Sequence, residues 1–503
     1  MMELANLVPI PVLLPLLAAG ITLALARHPF WQSVVSGASL AITAIVALVL
    51  CFAADRLGPI VLWVGSWPDG QGIVLVADRL SSLMVLVSSI VTAIVVIFPS
   101  RRDISDSADG APVSVFHPTF LVLTAGVANA FLAGDLFNLF VGFEILLFSS
   151  YVLIMLGATR ERVRAGSTYV VVSVLSSMLF LIAVSIVYGA TGTVSFAQLP
   201  ARLAELDPSM QLVIQLLLLV VFGVKAAIFP LQAWLPDSYP TAPASVTAVF
   251  AGLLTKVGVF AIVRLQTLLF PESPLTDLLL WAAILTMLLG ILGALAQGEI
   301  KRLLSFTLVS HIGYMLMGIA LGTQIGLAAA IFYIVHHILV QTALFIVVGL
   351  IERVGGSTSL ARLGGLAAVP LLAVLYLVPA LNLGGIPPFS GFIGKVWLMD
   401  AALGVGTPLA VGAVVAGVAT SLLTLIAVVR VWQRAFWRDR PEDSDRVLSA
   451  RVLPRIWILA ASALVGITVA LTVIAGPLGD FAARASVDIL GGTYHQAVQE
   501  AMP

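Results

Sequence analysis

Cysteine is almost absent from this 503-residue chain. Cys51 stands alone, which excludes an intrachain disulfide and any iron–sulfur cluster held by cysteines only. Charge is scarce as well: Asp, Glu, Lys and Arg make up 10% of the residues, against about 25% in soluble domains. The formal net charge is zero, so the chain lacks the basic surface that neutralising a nucleic-acid backbone requires. No phosphate-cradling GxxxxGK[ST] stretch occurs, which removes nucleotide-driven transport from consideration. Acidic residues form no dense cluster, so neither a metal nor another cofactor is expected. Lysine is the rarest charge, with only Lys225, Lys256, Lys301 and Lys395.

What the chain has in quantity is hydrophobic residues, 60% of the total, with a mean hydropathy of +1.11. Dividing the apolar runs into segments of about 20 residues, enough to cross a hydrocarbon core of about 30 Å, predicts an all-α polytopic membrane protein of about 14 transmembrane helices. The expected spans are 4–26, 32–54, 78–98, 117–134, 136–157, 167–189, 209–231, 243–267, 275–297, 302–322, 325–351, 367–400, 408–433 and 453–476. Between the second and third, Arg56 to Val76 alternates in places and contains WPDG, the pattern of a surface hairpin. Thr193 to Leu206 reads as a short interfacial helix. Most arginines follow spans 1, 3, 5, 9, 11 and 13, whereas only Arg56, Arg79, Arg202, Arg264 and Arg484 fall on the other side. That imbalance places the first side in the cytoplasm and both termini outside, in a cytoplasmic membrane.

Two spans are broken by proline, the seventh at Pro230 and the twelfth at GGIPP, 384–388, which includes Pro387. Breaks at corresponding places of two halves point to a transport site near the bilayer midplane. Each is accompanied by a lysine, Lys225 or Lys395. Spans 4–8 and 9–13 are therefore expected to form two five-helix repeats, inverted because five is odd. The corresponding divisions are 1–116 for three N-terminal helices, 117–267 and 275–433 for the repeats, and 453–503 for a last helix and a short tail.

A lysine inside a membrane helix costs roughly 2.5 to 3.5 kcal/mol on insertion scales, so Lys225 and Lys256 are read as functional. Glu144, deep in DLFNLFVGFEILLFSSYVLIML, needs a partner. Lys225 is the natural one, since opposite charges about 4 Å apart gain roughly 4 kcal/mol at an effective dielectric of 20. Bringing such a pair together or apart decides where one proton sits. The alternative is a static pair that fixes helix packing. Lys256, in LLTKVGVF, has no acidic residue nearby in its own span. The second half adds His311, the adjacent His336 and His337, and Lys395. Histidine exchanges protons near neutral pH through either ring nitrogen, although a buried histidine is also a common packing residue. His336 and His337 point about 100° apart on a helix, so both do not face one site. Asp237 is expected to cap or brace the first break, the alternative being a part in proton entry, and Arg264 to reach outward as an end-of-helix anchor.

WLPDSYPTAPASVTAVFAGLLTKVGVFAIVR at 234–264, EIKRLLSFTLVSHIGYMLMG at 299–318 and GIPPFSGFIGKVWLM at 385–399 together resemble the antiporter-like subunits shared by respiratory complex I, membrane-bound hydrogenases and Mrp multisubunit cation/proton antiporters. The resemblance covers spans 4 to 13. It implies 14 helices with two inverted repeats and a proton path along a central polar axis. In that family Glu144 and Lys225 would be the switching pair, Lys256 the central relay and Lys395 the terminal site, with His311 and His337 between them. The length and the His336–His337 pair look most like the D subunits of Mrp antiporters. One departure is Gln341, which stands where many relatives carry a lysine.

The function implied is a proton-translocating subunit of a multisubunit Na+/H+ antiporter, a secondary transporter and not an enzyme. It would exchange protons for cytoplasmic Na+ or another monovalent cation, with other membrane subunits of the same complex as partners. The alternative is a proton-pumping membrane subunit of an NADH-quinone oxidoreductase or hydrogenase. A more distant one is a haem-bearing anchor with His311 and His336 as axial ligands.

Overall fold

The computed structural model describes residues 2–65, 72–98, 113–440 and 453–502. The first helices are α1 (Ile10–Ala24) and α2 (Pro29–Leu57), followed by the strands β1 (Ile60–Val64) and β2 (Ile73–Ala77). Then come α3 (Arg79–Val95), α4 (Phe116–Leu132), α5 (Leu136–Ile154), α6 (Arg160–Thr191) and α7 (Pro208–Ala226). The middle of the chain forms α8 (Ala244–Leu269), α9 (Thr276–Leu295), α10 (Ile300–Ala320) and α11 (Gln324–Gly355). The remainder is α12 (Pro370–Gly384), α13 (Ser390–Val405), α14 (Pro408–Trp437), α15 (Arg455–Val473), α16 (Ala475–Leu490) and α17 (Thr493–Glu500). Among the described residues, 10 helices are long and apolar enough to cross a membrane, and α1, α3, α4 and α12 are apolar but shorter. The twelfth expected span is divided between α12 and α13.

A short helix forms within the expected segment, at Leu199–Ala204. The expected hairpin forms too: β1 and β2 pair antiparallel from Ile60 opposite Ala77 to Val64 opposite Ile73. WPDG at 67–70 lies outside the described residues.

Burial sorts the helices. The apolar windows of α8, α10 and α11 are 100%, 94% and 100% buried, whereas α6, α14 and α15 bury 39% and keep an apolar outer face. An α-helix apolar on all sides is either lipid-exposed or enclosed by others, and these three are enclosed. They carry Lys256, His311, His336, His337 and Gln341.

The two halves repeat one another, their caps and bridges at one offset along the chain and their breaks at a slightly shorter one. Thr159 caps α6 through the Arg162 N–H and Thr323 caps α11 through the Gly326 N–H. Both helices have 32 residues and end on a left-handed glycine, Gly192 or Gly356. Beyond them Ser195 bridges Asp135, and Ser359 bridges Glu299. The breaks correspond as well. α7 stops at a left-handed Ala227 and α12 at a left-handed Gly385. Ala227 holds φ at +59°, a conformation that costs a non-glycine residue about 1–3 kcal/mol and persists only where the surroundings enforce it. At Gly385 φ is +81°, a conformation that favours glycine, and a Cβ there would also push against the Lys395 side chain.

Two expectations change here. Arg264 does not reach outward. It is 2% exposed and pairs at 2.8 Å with Asp78, whose carboxylate also caps α3 through the Ser81 N–H. The end of α8 is covered, so the guanidinium finds a carboxylate and the rings of Phe260 and Tyr494 in place of water. The second change is the tail, expected only as a short one after the last helix, which folds into α16 and α17. Arg484 of α16 pairs with Asp55 at 2.9 Å, and Arg79 binds both Asp55 and Asp488. Tyr494 on α17 covers Arg264, and burial beside it holds His495 below the ordinary histidine range.

Removing one member of a buried ion pair strands the other and costs about 3–5 kcal/mol. Asp78→Asn is therefore expected to lower the thermal unfolding midpoint of the detergent-solubilised protein. Adding Arg264→Gln recovers part of the loss, because the stranded charge is gone. A double variant that melts as the sum of the two single changes contradicts the pairing.

Candidate functional site

Lys225 lies in the last turn of α7, where the helix dipole favours a cation. Its Nζ donates to the Ser177 Oγ at 3.1 Å and the Ser173 carbonyl at 3.3 Å, both on α6, and sits 5.7 Å from the Phe143 ring centroid on α5. The break that follows is braced by Trp234, whose indole N–H donates to the Val224 carbonyl at 3.1 Å. α8 then returns against this end so closely that a Cβ at Gly258 would stand 2.6 Å from Ala226 N and 2.9 Å from the Lys225 carbonyl carbon. A side chain there would force the two lysine-bearing helices apart.

Glu144 and Lys225 are neighbours without a direct ion pair. Among the described residues no ion pair within 4 Å joins them, and Glu144 Oε1 is buried with no hydrogen bond. The reason is rotational. Lys225 faces the Phe143 side of α5, about 100° from Glu144, and α6 supplies it with two closer acceptors. The carboxylate still acts on Lys225 and Tyr151 through space.

Lys256 is fully enclosed in α8, and its Nζ donates to the Ala251 carbonyl at 2.7 Å. That carbonyl belongs to a π-turn, Phe250–Leu254, a widening that recurs at functional sites. Among the described residues neither ring nitrogen of His337 has a hydrogen-bond partner, and its ring lies 5.3 Å from that of His311. His311 is held at both nitrogens, by the Tyr333 hydroxyl at 2.8 Å and the Thr424 hydroxyl at 3.3 Å. Lys395 ends the series: its Nζ donates to the Leu383 and Gly384 carbonyls at 2.9 and 3.1 Å and to Ser421 Oγ at 3.1 Å, with the Tyr314 ring 5.3 Å away.

Lys395 does not occupy the chain position of Lys225 in the second repeat. Lys225 precedes its left-handed residue, whereas Lys395 follows Gly385 and reaches back from α13. Both nevertheless end at the C-terminus of a broken helix, where carbonyls lack intrahelical partners.

The remaining candidates lie to the side. His336 Nδ1 meets the Ser390 hydroxyl at 3.0 Å, and Ser390 and the Gly391 N–H converge on Asn382 Oδ1, so this histidine braces the second break. Gln341 donates to the Leu304 carbonyl at 2.8 Å. Asp237 is exposed and pairs at 2.7 Å with Arg302 of α10, which ties the first break to the second repeat. Pro230 and Pro387 are exposed at the two breaks. Lys301, a loop residue by sequence, starts α10 buried and pairs with Glu352 at 2.6 Å.

The haem arrangement does not fit. Both nitrogens of His311 are engaged by hydroxyls, which leaves neither free for an axial bond. Among the described residues no group of three His, Cys, Asp or Glu side chains is placed to hold a metal ion.

Sequence reasoning did not single out Tyr314, Tyr333, Thr424 and Ser421. The signal was present for the tyrosines, since only 8 occur in the chain and a mid-span tyrosine needs a partner for its hydroxyl.

The model of the family described as NADH:quinone oxidoreductase/Mrp antiporter, TM, matches residues 133–424. The chain is 39% identical over 494 residues to the D subunit of the Na(+)/H(+) antiporter of Alkalihalophilus pseudofirmus, covering 97% of this chain and 98% of that one. Its fold is similar to a chain in the structure of the Mrp complex from Dietzia sp. DQ12-45-1b, with a TM-score of 0.91 and 33% identity over 99% of this chain and 100% of that chain. A chain of respiratory complex I from Thermus thermophilus shares the fold alone, with a TM-score of 0.75 at 22% identity over 93% of this chain and 99% of that one. With the family match spanning more than half of its length and a relative 39% identical over nearly all of it, the chain belongs to the NADH:quinone oxidoreductase/Mrp antiporter family of membrane subunits.

Proposed function

We propose that this chain is the proton-translocating subunit of a multisubunit Na+/H+ antiporter, a secondary transporter working with other membrane subunits in the bacterial cytoplasmic membrane. The observation that carries the reading is one enclosed series of titratable groups, Lys225, Lys256, His337, His311 and Lys395, running through the interior helices from one broken helix to the other. Similarity to the D subunits favours antiport over a redox-driven pump, which would use the same series under the control of electron-transfer partners. In this reading 117–267 and 275–433 are the inverted repeats and both termini face outward.

Each lysine holds carbonyl or hydroxyl oxygens that suit an ammonium and leaves it when the side chain swings, so the proton moves between fixed sites. Glu144 acts on the first of these through space. Its half-buried position leaves it open to whatever covers that face of α5. His337, with both nitrogens unengaged, is the carrier between halves, and the series bypasses Gln341.

Groups that transfer protons contribute about 100-fold or more to rate. Lys225→Ala and Lys395→Ala are each expected to reduce cation-dependent proton exchange in everted vesicles at least that far, and Glu144→Ala to lower it as well, while the complex still assembles. Wild-type exchange in all three contradicts the relay. Gln341→Leu is expected to keep exchange within roughly a factor of two, whereas His337→Leu falls as the lysine variants do. The reverse order of those two losses would place the passage between halves at Gln341.

A further inference from the structure

Beside the first break lies a cavity of about 20 Å³, room for one water molecule. Lys225, Ser173, Tyr169, Trp234, Tyr239 and Leu254 are among the residues that line it. Most of these polar groups are engaged elsewhere. Tyr169 shares a hydrogen bond of 2.8 Å with Ser150, Trp234 donates to Val224, and Lys225 holds Ser173 and Ser177. Tyr239 differs. Its side chain is fully enclosed, yet among the described residues its hydroxyl has no hydrogen-bond partner. Buried hydroxyls in native proteins nearly always have one, protein or water. Tyr239 and Lys225 both line the small cavity beside the break.

The tyrosine is not free to turn away. Its ring packs edge-on against Trp234 at 5.7 Å and Phe250 at 5.5 Å, and its backbone carbonyl accepts the Thr247 hydroxyl at 2.9 Å. Phe250 opens the π-turn whose next carbonyl, at Ala251, holds Lys256. Leu254, in the same turn, forms a wall of the cavity. Tyr239 therefore stands between the chamber of Lys225 and the turn that anchors Lys256.

We propose that Tyr239 is a proton-relaying residue, its hydroxyl holding a water in this cavity and carrying protons between Lys225 and Lys256. The ammonium of Lys225 gives one proton to the water, and the water gives one to Tyr239 Oη. The hydroxyl's original proton then leaves toward the amine of Lys256, released from Ala251, so the tyrosine ends neutral. The proposal rests on the relay described above and adds to it the group that joins its first two lysines.

Tyr239→Phe keeps the ring and its packing and removes only the hydroxyl. Val172→Leu keeps the hydroxyl and fills the cavity, whose wall includes Val172. Both are expected to lower cation-dependent proton exchange in everted vesicles by about tenfold or more at unchanged amounts of assembled complex. A purely structural tyrosine would leave the phenylalanine variant at the wild-type rate. A wild-type rate in either variant overturns the proposal, and if the phenylalanine variant fails to accumulate, Val172→Leu decides alone. Lys225→Ala in the same assay separates the two levels. Loss there with wild-type exchange in the Tyr239 variant defeats only this inference, while wild-type exchange in both defeats the relay itself.

Discussion

An ammonium group sealed away from water must find oxygens inside the protein, and the architecture follows from meeting that need three times. A regular helix offers none, because its carbonyls are already bonded. The structure supplies them by interrupting helices. α12 ends so that the Leu383 and Gly384 carbonyls are open to Lys395, and α8 widens at the Ala251 carbonyl that receives Lys256. Lys225 sits at the interrupted end of α7 and borrows oxygens from α6. Breaks and lysines are two aspects of one requirement, which is why they coincide along the chain.

The same requirement explains the layering. Helices with apolar outer faces surround α8, α10 and α11, so the titratable groups are kept from lipid and from bulk water alike. Rigidity is concentrated where the layers meet. The Asp78–Arg264 pair and α17 fasten one end of α8, and Gly258 holds α8 against the end of α7. His336, Asn382 and Ser390 brace the second break. A relay of short steps depends on such fixed positions, since proton transfer requires heavy atoms within hydrogen-bond reach.

Much of this is legible in the sequence because hydropathy, proline and lysine are local signals. The spans, both breaks, the repeat and the buried lysines all rest on runs of neighbouring residues. The failures concern rotation and distance. Whether Lys225 faces Glu144 or Phe143 depends on a helix turn of about 100°, which no spacing of residues between two separate helices reveals. Arg264 reads as a snorkelling anchor because its partner, Asp78, lies far away on α3. The divergence of His336 and His337 follows from helix geometry, but only the position of Ser390 decides that His336 is the brace. α16 and α17 escape a reading of the sequence because amphipathic helices held by Asp55, Arg79 and Asp488 look like a polar tail when read alone.

The central claim is that the buried lysines carry protons and are not merely fixed positive charges. Lys225→Arg tests it most directly, because arginine keeps the charge and the hydrogen-bonding capacity but does not release its proton in a protein. Exchange of protons for cation should be measured with the purified complex in liposomes. The account predicts that the arginine variant assembles and loses exchange. Exchange at the wild-type rate with arginine at position 225 would contradict it, because the site would then need only a charge.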